Sequence, residues 1–334
     1  MNSYLQKYRL RVKRRYLLAR ALRRRRQLVQ VTGEPTRAAN DILGFVCVRN
    51  ELERLPYFLN HHRAMGVDQF YIVDNGSDDG TAEYATKQPD VTLFSTTQSY
   101  RDARFGMDWL NGLLMRYGAG HWCLTLDADE ALVIPHQGAR DLHDLTAWLD
   151  ERGALSLQTI MVELYAKGPI SHVSYTPGQR FEEALPYYDA AGYRRETHPV
   201  YGNTSIRGGP RERVFFQERP DLSPHLQKTP LIKWHWRYAY ASSTHIALPT
   251  RLNSQSMQSK MPTGALLHAK FLPDALAKTR AAAIRKEHFT NPTDYDAYYG
   301  ALANDPDLWH EDAKTYAGWE ALESEGLMGR GDWR

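Results

Sequence analysis

Two aspartates one residue apart, Asp127 and Asp129, stand in Leu126-Asp127-Ala128-Asp129-Glu130, where the apolar run His121 to Leu126 ends. Carboxylates spaced this way at the carboxyl end of a buried strand can hold a divalent ion and, through it, phosphate oxygens. Mg2+ and Mn2+ both prefer oxygen ligands. Burying the pair without a cation would be costly. The same residues also suit a solvated acidic turn. A second constellation is Val73-Asp74-Asn75-Gly76-Ser77-Asp78-Asp79-Gly80-Thr81, in which an acid ends a strand and opens a turn of φ-permissive residues. An acid at such a strand end can bond a ribose hydroxyl or a base edge. Ser77 and Asp78 are expected to cap the helix that begins near Thr81.

The elements that must position these groups follow from periodicity. Ile42 to Val48, Gln69 to Val73, Val91 to Phe94 and His121 to Leu126 are short unbroken apolar runs, with helical segments at 52–65, from Thr81, and at 103–117. Strands alternating with helices, each strand apolar throughout, predict a parallel sheet covered on both faces. Ligands of such sheets bind outside the carboxyl ends of the strands. Leu155 to Val162 reads as a further strand flowing into Glu163, and Ile232–Tyr240 and Leu266–Phe271 as late strands. Residues 166–225 read as long ordered loops, and the last sixty residues as largely helical. The expected domains are a basic arm and linker (1–36), a catalytic domain (37–275, with halves 37–150 and 151–275) and a helical extension (276–334).

Composition narrows the classes. The chain has 334 residues, a formal charge of +3 and two cysteines, Cys47 and Cys123, each inside an apolar run and read as a reduced core thiol. No apolar run reaches the length of a membrane span, and no signal peptide is read at the basic start. Residues 1–30 carry eleven Lys/Arg and no acid, leaving 31 basic and 39 acidic residues elsewhere. Leu5, Leu10, Val12, Tyr16, Leu17, Leu18, Leu22 and Leu28 interleave with those charges. The pattern predicts a basic amphipathic helix for an anionic bilayer surface. Nucleic acid is the rival partner, disfavoured by the acidic remainder. The expected location is cytoplasmic, peripheral at the inner membrane face. No GxGxxG follows the first strand and no GxxxxGK[ST] exists, which excludes dinucleotide-binding and P-loop readings.

Taken together, Val48-Arg49-Asn50-Glu51, the turn from Val73 to Thr81 and Leu126-Asp127-Ala128-Asp129-Glu130 resemble family-2 glycosyltransferases. They resemble more closely the bacterial branch related to family 92. The resemblance covers residues 41–135 and continues more weakly through Gly208–Phe215, Lys228–Leu231 and Leu266–Phe271. It implies a GT-A fold, a nucleotide-sugar donor (a UDP-sugar foremost), Mn2+ or Mg2+, inversion at the anomeric carbon, and a glycan or lipid-linked acceptor. By that likeness Asp127 and Asp129 form the metal and donor motif, with His268 as a third ligand. Asn50, Asp74 and Asn75 fall on the donor side. Arg211, Arg213 and Lys228 are candidates to neutralise the diphosphate, guanidinium being suited to bidentate contacts. Inverting transfer needs a base for the acceptor hydroxyl, for which Glu163, at a strand end, and Glu212, in a Gly-rich loop, are the candidates. Trp234-His235-Trp236-Arg237-Tyr238 and Tyr187-Tyr188 are possible sugar platforms. His198, His235 and His245 show no metal-like spacing. A sugar nucleotidyltransferase and a non-catalytic binding module are the competing classes. The first lacks its expected glycine-rich loop after Val48.

Overall fold

The computed structural model describes residues 3–254, 260–274, 276, 298 and 300–334. The strands are β1 (Val29–Gln30), β2 (Leu43–Val48), β3 (Gln69–Asp74), β4 (Val91–Ser95), β5 (Trp122–Thr125), β6 (Glu130–Val133), β7 (Ser156–Glu163), β8 (Tyr187–Tyr188), β9 (Arg194–Thr197), β10 (Thr204–Arg207), β11 (Gln227–Lys233), β12 (Ala239–Ser242), β13 (Ile246–Leu248), β14 (Gly264–His268) and β15 (Lys314–Thr315). The helices are α1 (Ser3–Arg24), α2 (Leu55–Ala64), α3 (Thr81–Thr86), α4 (Met107–Leu113), α5 (Leu142–Glu151), α6 (Phe181–Ala184), α7 (Gly209–Phe215) and α8 (Trp319–Ser324).

Nine strands form one mixed sheet in the order β1-β4-β3-β2-β5-β11-β7-β14-β6. Strands β2 to β5 are mutually parallel, as the unbroken apolar runs predict, and β7 and β14 are parallel to each other. β1, β11 and β6 each run antiparallel to their neighbours. The strands are apolar on both sides because both sides are covered. Val46, Val48, Ile72, Leu93 and Leu124 pack toward α2 and α5, through Leu55, Phe58, Leu59, Leu142 and Leu145. Phe45, Tyr71, Val73, Phe94 and Cys123 pack toward α4, through Trp109, Leu110 and Leu113. Gly44 permits one close approach: a Cβ there would sit 2.6 Å from the Phe70 ring.

Three elements depart from expectation. Glu130–Val133, of which the sequence marks only Glu130, at the end of the acidic turn, is an edge strand paired to β14. The late strand placed at 232–240 divides into β11 and the β12–β13 hairpin. The predicted basic helix, expected as part of an arm and linker at 1–36, forms as α1 and packs on the domain. Leu17 and Ala21 of α1 are buried against α4 and the β12–β13 hairpin. β1 then joins the sheet edge at β4, and Thr32 Oγ1 donates to Val91 O and accepts from Leu93 N. Of the extension at 276–334, most of the first part lies outside the described residues. The described part, from 300, carries α8 and β15, the latter paired with β8.

A buried carboxylate fastens α1. Asp108 is fully buried and accepts from Arg20 Nη2 at 2.7 Å and Arg20 Nε at 3.0 Å, with Arg104 Nη1 at 3.4 Å. Charge-assisted bonds of this kind contribute about 2 kcal/mol. Asp108→Asn is therefore expected to lower the free energy of unfolding by about 2 kcal/mol, read as a lower denaturant midpoint with an unchanged slope.

Candidate functional site

The register of three strands assembles the site. Across the β7–β14–β6 ladder, His268 pairs with Glu163 on one side and with Glu130 on the other. Paired residues of adjacent strands point to the same face, so the imidazole is set between two carboxylates. The backbone continues the arrangement: Leu164 N donates to His268 O at 3.0 Å, and Ala269 N to Asp129 O at 2.8 Å. His268 Nε2 lies 3.2 Å from Asp129 Oδ2, and its Nδ1 lies 3.5 Å from Glu163 Oε1.

Among the described residues, Asp129, Glu130 and His268 form a group in which one ligand atom from each lies within 4.8 Å of the others. Two carboxylates and one imidazole fit Mn2+ or Mg2+ in donor type. Glu163 behind the second ring nitrogen is the kind of partner that holds a ligating histidine in one orientation. The sequence-predicted trio was Asp127, Asp129 and His268. The structure brings Asp129 to His268 and turns Asp127 elsewhere, to Lys228.

Lys228, from β11, is the internal cation of the site. It is 2% exposed, and its Nζ donates to Asp127 Oδ2 at 2.7 Å and to Glu130 Oε1. Glu130 Oε2 in turn accepts from Asp127 N at 3.2 Å. Burial disfavours the Lys228 ammonium, but Asp127 and Glu130 outweigh it and raise its pKa. Burial likewise pushes Glu130 upward, opposed first by Lys228. Lys228, proposed for the diphosphate, thus neutralises the protein's own acids.

Glu163 is buried and makes an ion pair with Arg211 Nε. Burial would raise its pKa, but Arg211 and then His268 hold it below the usual carboxylate range. Arg211 reaches it because α7 begins at Gly209. Gly208, at φ +137°, packs so tightly that a Cβ would meet Gly192 O at 2.5 Å. Burial disfavours charge on Asp129 too, yet His268, Lys270 and Arg54 keep it well below normal. His268 is raised in return, Asp129 overcoming its burial. Arg54, which sequence reasoning missed, is 3% exposed and pairs with Glu51 at 3.2 Å and with Asp274. Its only signal was an arginine at the entry to a helix next to the Asn50-Glu51 segment.

The remaining predicted residues lie apart from this cluster. Glu212 accepts from Arg194 Nη1 at 2.6 Å and from Ser223 Oγ at 2.5 Å. Arg213 donates to Asp189 Oδ2 at 3.0 Å and to Leu308 O at 2.7 Å. Glu212 and Arg213 line, with Asp189, Arg194 and Gly209, a cavity of about 420 Å³. At the other strand ends, Asn50 exchanges hydrogen bonds with Asp78, and Asn75 Nδ2 donates to Thr96 O and Gln98 O, both at 3.0 Å. Asp74 Oδ2 accepts from Gly76 N and Ser77 N, while its buried Oδ1 has no hydrogen-bond partner. Ser77 and Asp78 do not cap α3. They bond Asn50, and Asp79 accepts the Thr81 N–H instead. Trp234, Tyr238 and Tyr188 are core residues, and Trp236 is exposed.

No protein-family model matches the chain, and no curated protein matches it. Solved structures do match in part. A mannosyltransferase from Pyrobaculum calidifontis in complex with GDP-Man and Mn2+ aligns at 20% identity and a TM-score of 0.26, over 48% of each chain. A 4-diphosphocytidyl-2C-methyl-D-erythritol synthase aligns at 16% identity and a TM-score of 0.25, over 42% of this chain and 66% of its own. Glucosyl-3-phosphoglycerate synthase from Mycobacterium tuberculosis, in complex with Mn2+, UDP and phosphoglyceric acid, aligns at 15% identity and a TM-score of 0.23, over 42% and 52%. The chain spans about half to two thirds of the length of each.

Two outcomes test the electrostatics. A histidine whose folded pKa is raised contributes stability below its unfolded pKa of about 6.5 and loses it as pH rises through the folded value. In metal-free protein, the stability lost in His268→Gln is therefore expected to be larger at about pH 5.5 than at about pH 8.5, measured by urea unfolding. Lys228→Met leaves two acids facing each other without their cation and is expected to cost about 3 kcal/mol, read in the same assay.

Proposed function

We propose that the chain is a metal-dependent, inverting glycosyltransferase of GT-A type. It would move a sugar from a nucleotide-sugar donor, a UDP-sugar foremost, to a cell-surface glycan or lipid-linked acceptor at the inner face of the cytoplasmic membrane. The observation that carries this reading is the meeting of Asp129, from the acidic turn after β5, with His268, from the end of β14, at 3.2 Å. Both stand where a sheet of this kind binds its ligands, beyond the carboxyl ends of parallel strands.

In this reading Asp129 and His268 hold Mn2+ or Mg2+, with Glu130 beside them. The ion, when bound, supplies positive charge to the leaving diphosphate. Lys228 keeps Asp127 and Glu130 from repelling that diphosphate, and Arg54 and Lys270 add positive field around Asp129. Asp74, with one buried carboxylate oxygen lacking a partner, is the strand-end acid for the nucleoside, and Asn50 and Asn75 shape the loop around it.

Neither Glu163 nor Glu212, the two candidates from the sequence, is assigned as the base. Glu212 is engaged by Arg194 and Ser223, and Glu163 is sealed behind Arg211 and His268. A buried carboxylate with a lowered pKa is a poor proton acceptor for an incoming hydroxyl. We assign Glu163 the task of orienting His268.

Thermal stabilisation by UDP, GDP, CMP and dTDP, each with and without Mn2+, tests the donor site, because ligands of the native state raise Tm by mass action. The expected result is a Mn2+-dependent shift with one nucleotide, lost in Asp129→Ala. No shift with any of the four would sink the transferase reading. Release of pyrophosphate from the donor, in place of a nucleoside diphosphate, would assign a nucleotidyltransferase. Glu163→Gln separates the two roles of that residue. As an orienting group it should weaken Mn2+ binding roughly 10- to 100-fold, whereas a general base would leave Mn2+ affinity unchanged and lower only kcat.

A further inference from the structure

The side of α1 that meets solvent carries a stripe of apolar and aromatic side chains between its basic ones, and this is unusual for a helix docked on a domain. Leu10, Arg14, Leu17 and Ala21, at helical spacing, face the α4 and β12–β13 layer, with Leu17 and Ala21 buried. Leu5, Tyr8, Val12 and Tyr16, also at helical spacing, lie on the opposite side and are exposed. Tyr8 is 63% and Tyr16 59% exposed. Nearly all the large apolar side chains exposed among the described residues are in α1 or just after it: Tyr4, Leu5, Tyr8, Val12, Tyr16 and Leu22 in the helix, then Val29 and Val31. The remaining one is Trp236.

Trp236 lies in the turn between β11 and β12, the hairpin strand on which α1 packs, and Arg237 stacks over its ring at 4.5 Å. Arg237 and Arg251 are close enough to Arg14 that, after burial and together with Arg11, they lower its pKa. No carboxylate pairs with Arg11, Arg14, Arg237 or Arg251 among the described residues, and Arg14 Nε is buried without a hydrogen-bond partner. Like charges crowded together without an acid represent repulsion that an external anion would relieve.

We propose that α1 and the Trp236–Arg237 turn form one docking face for an anionic phospholipid bilayer, in which the exposed Arg11, Arg237 and Arg251 bind headgroup phosphate. It rests on the membrane-facing part of the reading above and not on the donor chemistry. α1 lies along the surface with Tyr8, Val12 and Tyr16 at headgroup depth, flanked by Arg9, Arg15 and Arg23. Aromatic side chains favour that interface, and basic residues near it are drawn to anionic lipid. No helix of the described residues is long and apolar enough to cross a membrane, so this contact lies on the surface. Self-pairing of the helix is opposed by its own charge, eleven basic residues and no acid in residues 1–30. Nucleic acid would use the arginines but leave the aromatic stripe in water.

The test is co-sedimentation of the full chain with vesicles of phosphatidylcholine alone or mixed with phosphatidylglycerol, without nucleotide or divalent metal. A failure here is thereby separate from a failure of the transferase reading. Binding is expected on the mixed vesicles only, and should weaken steeply between about 50 and 500 mM salt. Arg11→Gln combined with Arg237→Gln is expected to lower affinity about 25-fold, near fivefold for each charge. Tyr8→Ser combined with Val12→Ser, both exposed, should lower it roughly tenfold. Equal binding to neutral vesicles, salt-independent binding, or binding that survives both double substitutions would overturn the proposal. So would tighter binding to a DNA or RNA duplex in the same buffer.

Discussion

His268 stands between Glu130 and Glu163 because β14 is hydrogen-bonded to β6 on one side and β7 on the other, in one particular register. A slip by one residue would send the imidazole to the opposite face of the sheet and bring Leu267 into its place. The site exists only while that alignment holds. It holds because the neighbours of His268 on β14, Ala265, Leu266 and Leu267, are buried in the core of the same sheet. The hydrophobic effect that forms the layer also sets the metal-type cluster at its rim.

The second constraint is charge. Asp127, Asp129, Glu130 and Glu163 converge on a small region, and three of them are largely or wholly buried. Uncompensated, such a group would shift toward its protonated form. Each acid instead has a cation beside it: Lys228 shared by Asp127 and Glu130, Arg211 for Glu163, and His268 with Arg54 and Lys270 around Asp129. These cations come from β11, α7, the residue before α2, and β14 with the residues after it, so residues far along the chain serve to balance an acidic turn near its middle. The balance is also selective, for it ties Asp127 to Lys228 and leaves Asp129 to meet His268. The N-terminal helix obeys the same rule on its inner side, where Asp108 gathers Arg20 and Arg104. Its outer side, and the turn beside it, carry arginines with no such partner.

The sequence by itself determined the central strands, the helices between them, the basic helix and the location of the two acidic turns. These are local properties. An apolar run of five or six residues ended by Asp or Gly is readable because burial of a strand on both faces demands it, and Leu43–Val48, Gln69–Asp74 and Val91–Ser95 lie within a residue of expectation. That Asp129 and His268 belong to one site was suggested by likeness of motif, and no spacing rule would have joined residues so far apart.

Tertiary structure decided the partners. That Lys228 faces Asp127, that Arg211 faces Glu163 and that Asn50 bonds Asp78 depends on strand order and register, which pair residues up to a hundred positions apart. The antiparallel edge strand at Glu130–Val133 was not legible, because four apolar residues after an acidic turn carry no period long enough to separate strand from loop. Nor could sequence say which side of α1 is covered. Leu10, Leu17 and Ala21 alternate with Leu5, Tyr8 and Val12 around one helix, and both stripes are apolar. Only the surface that α1 meets, the hairpin and α4, determines which stripe is buried and which is left facing outward.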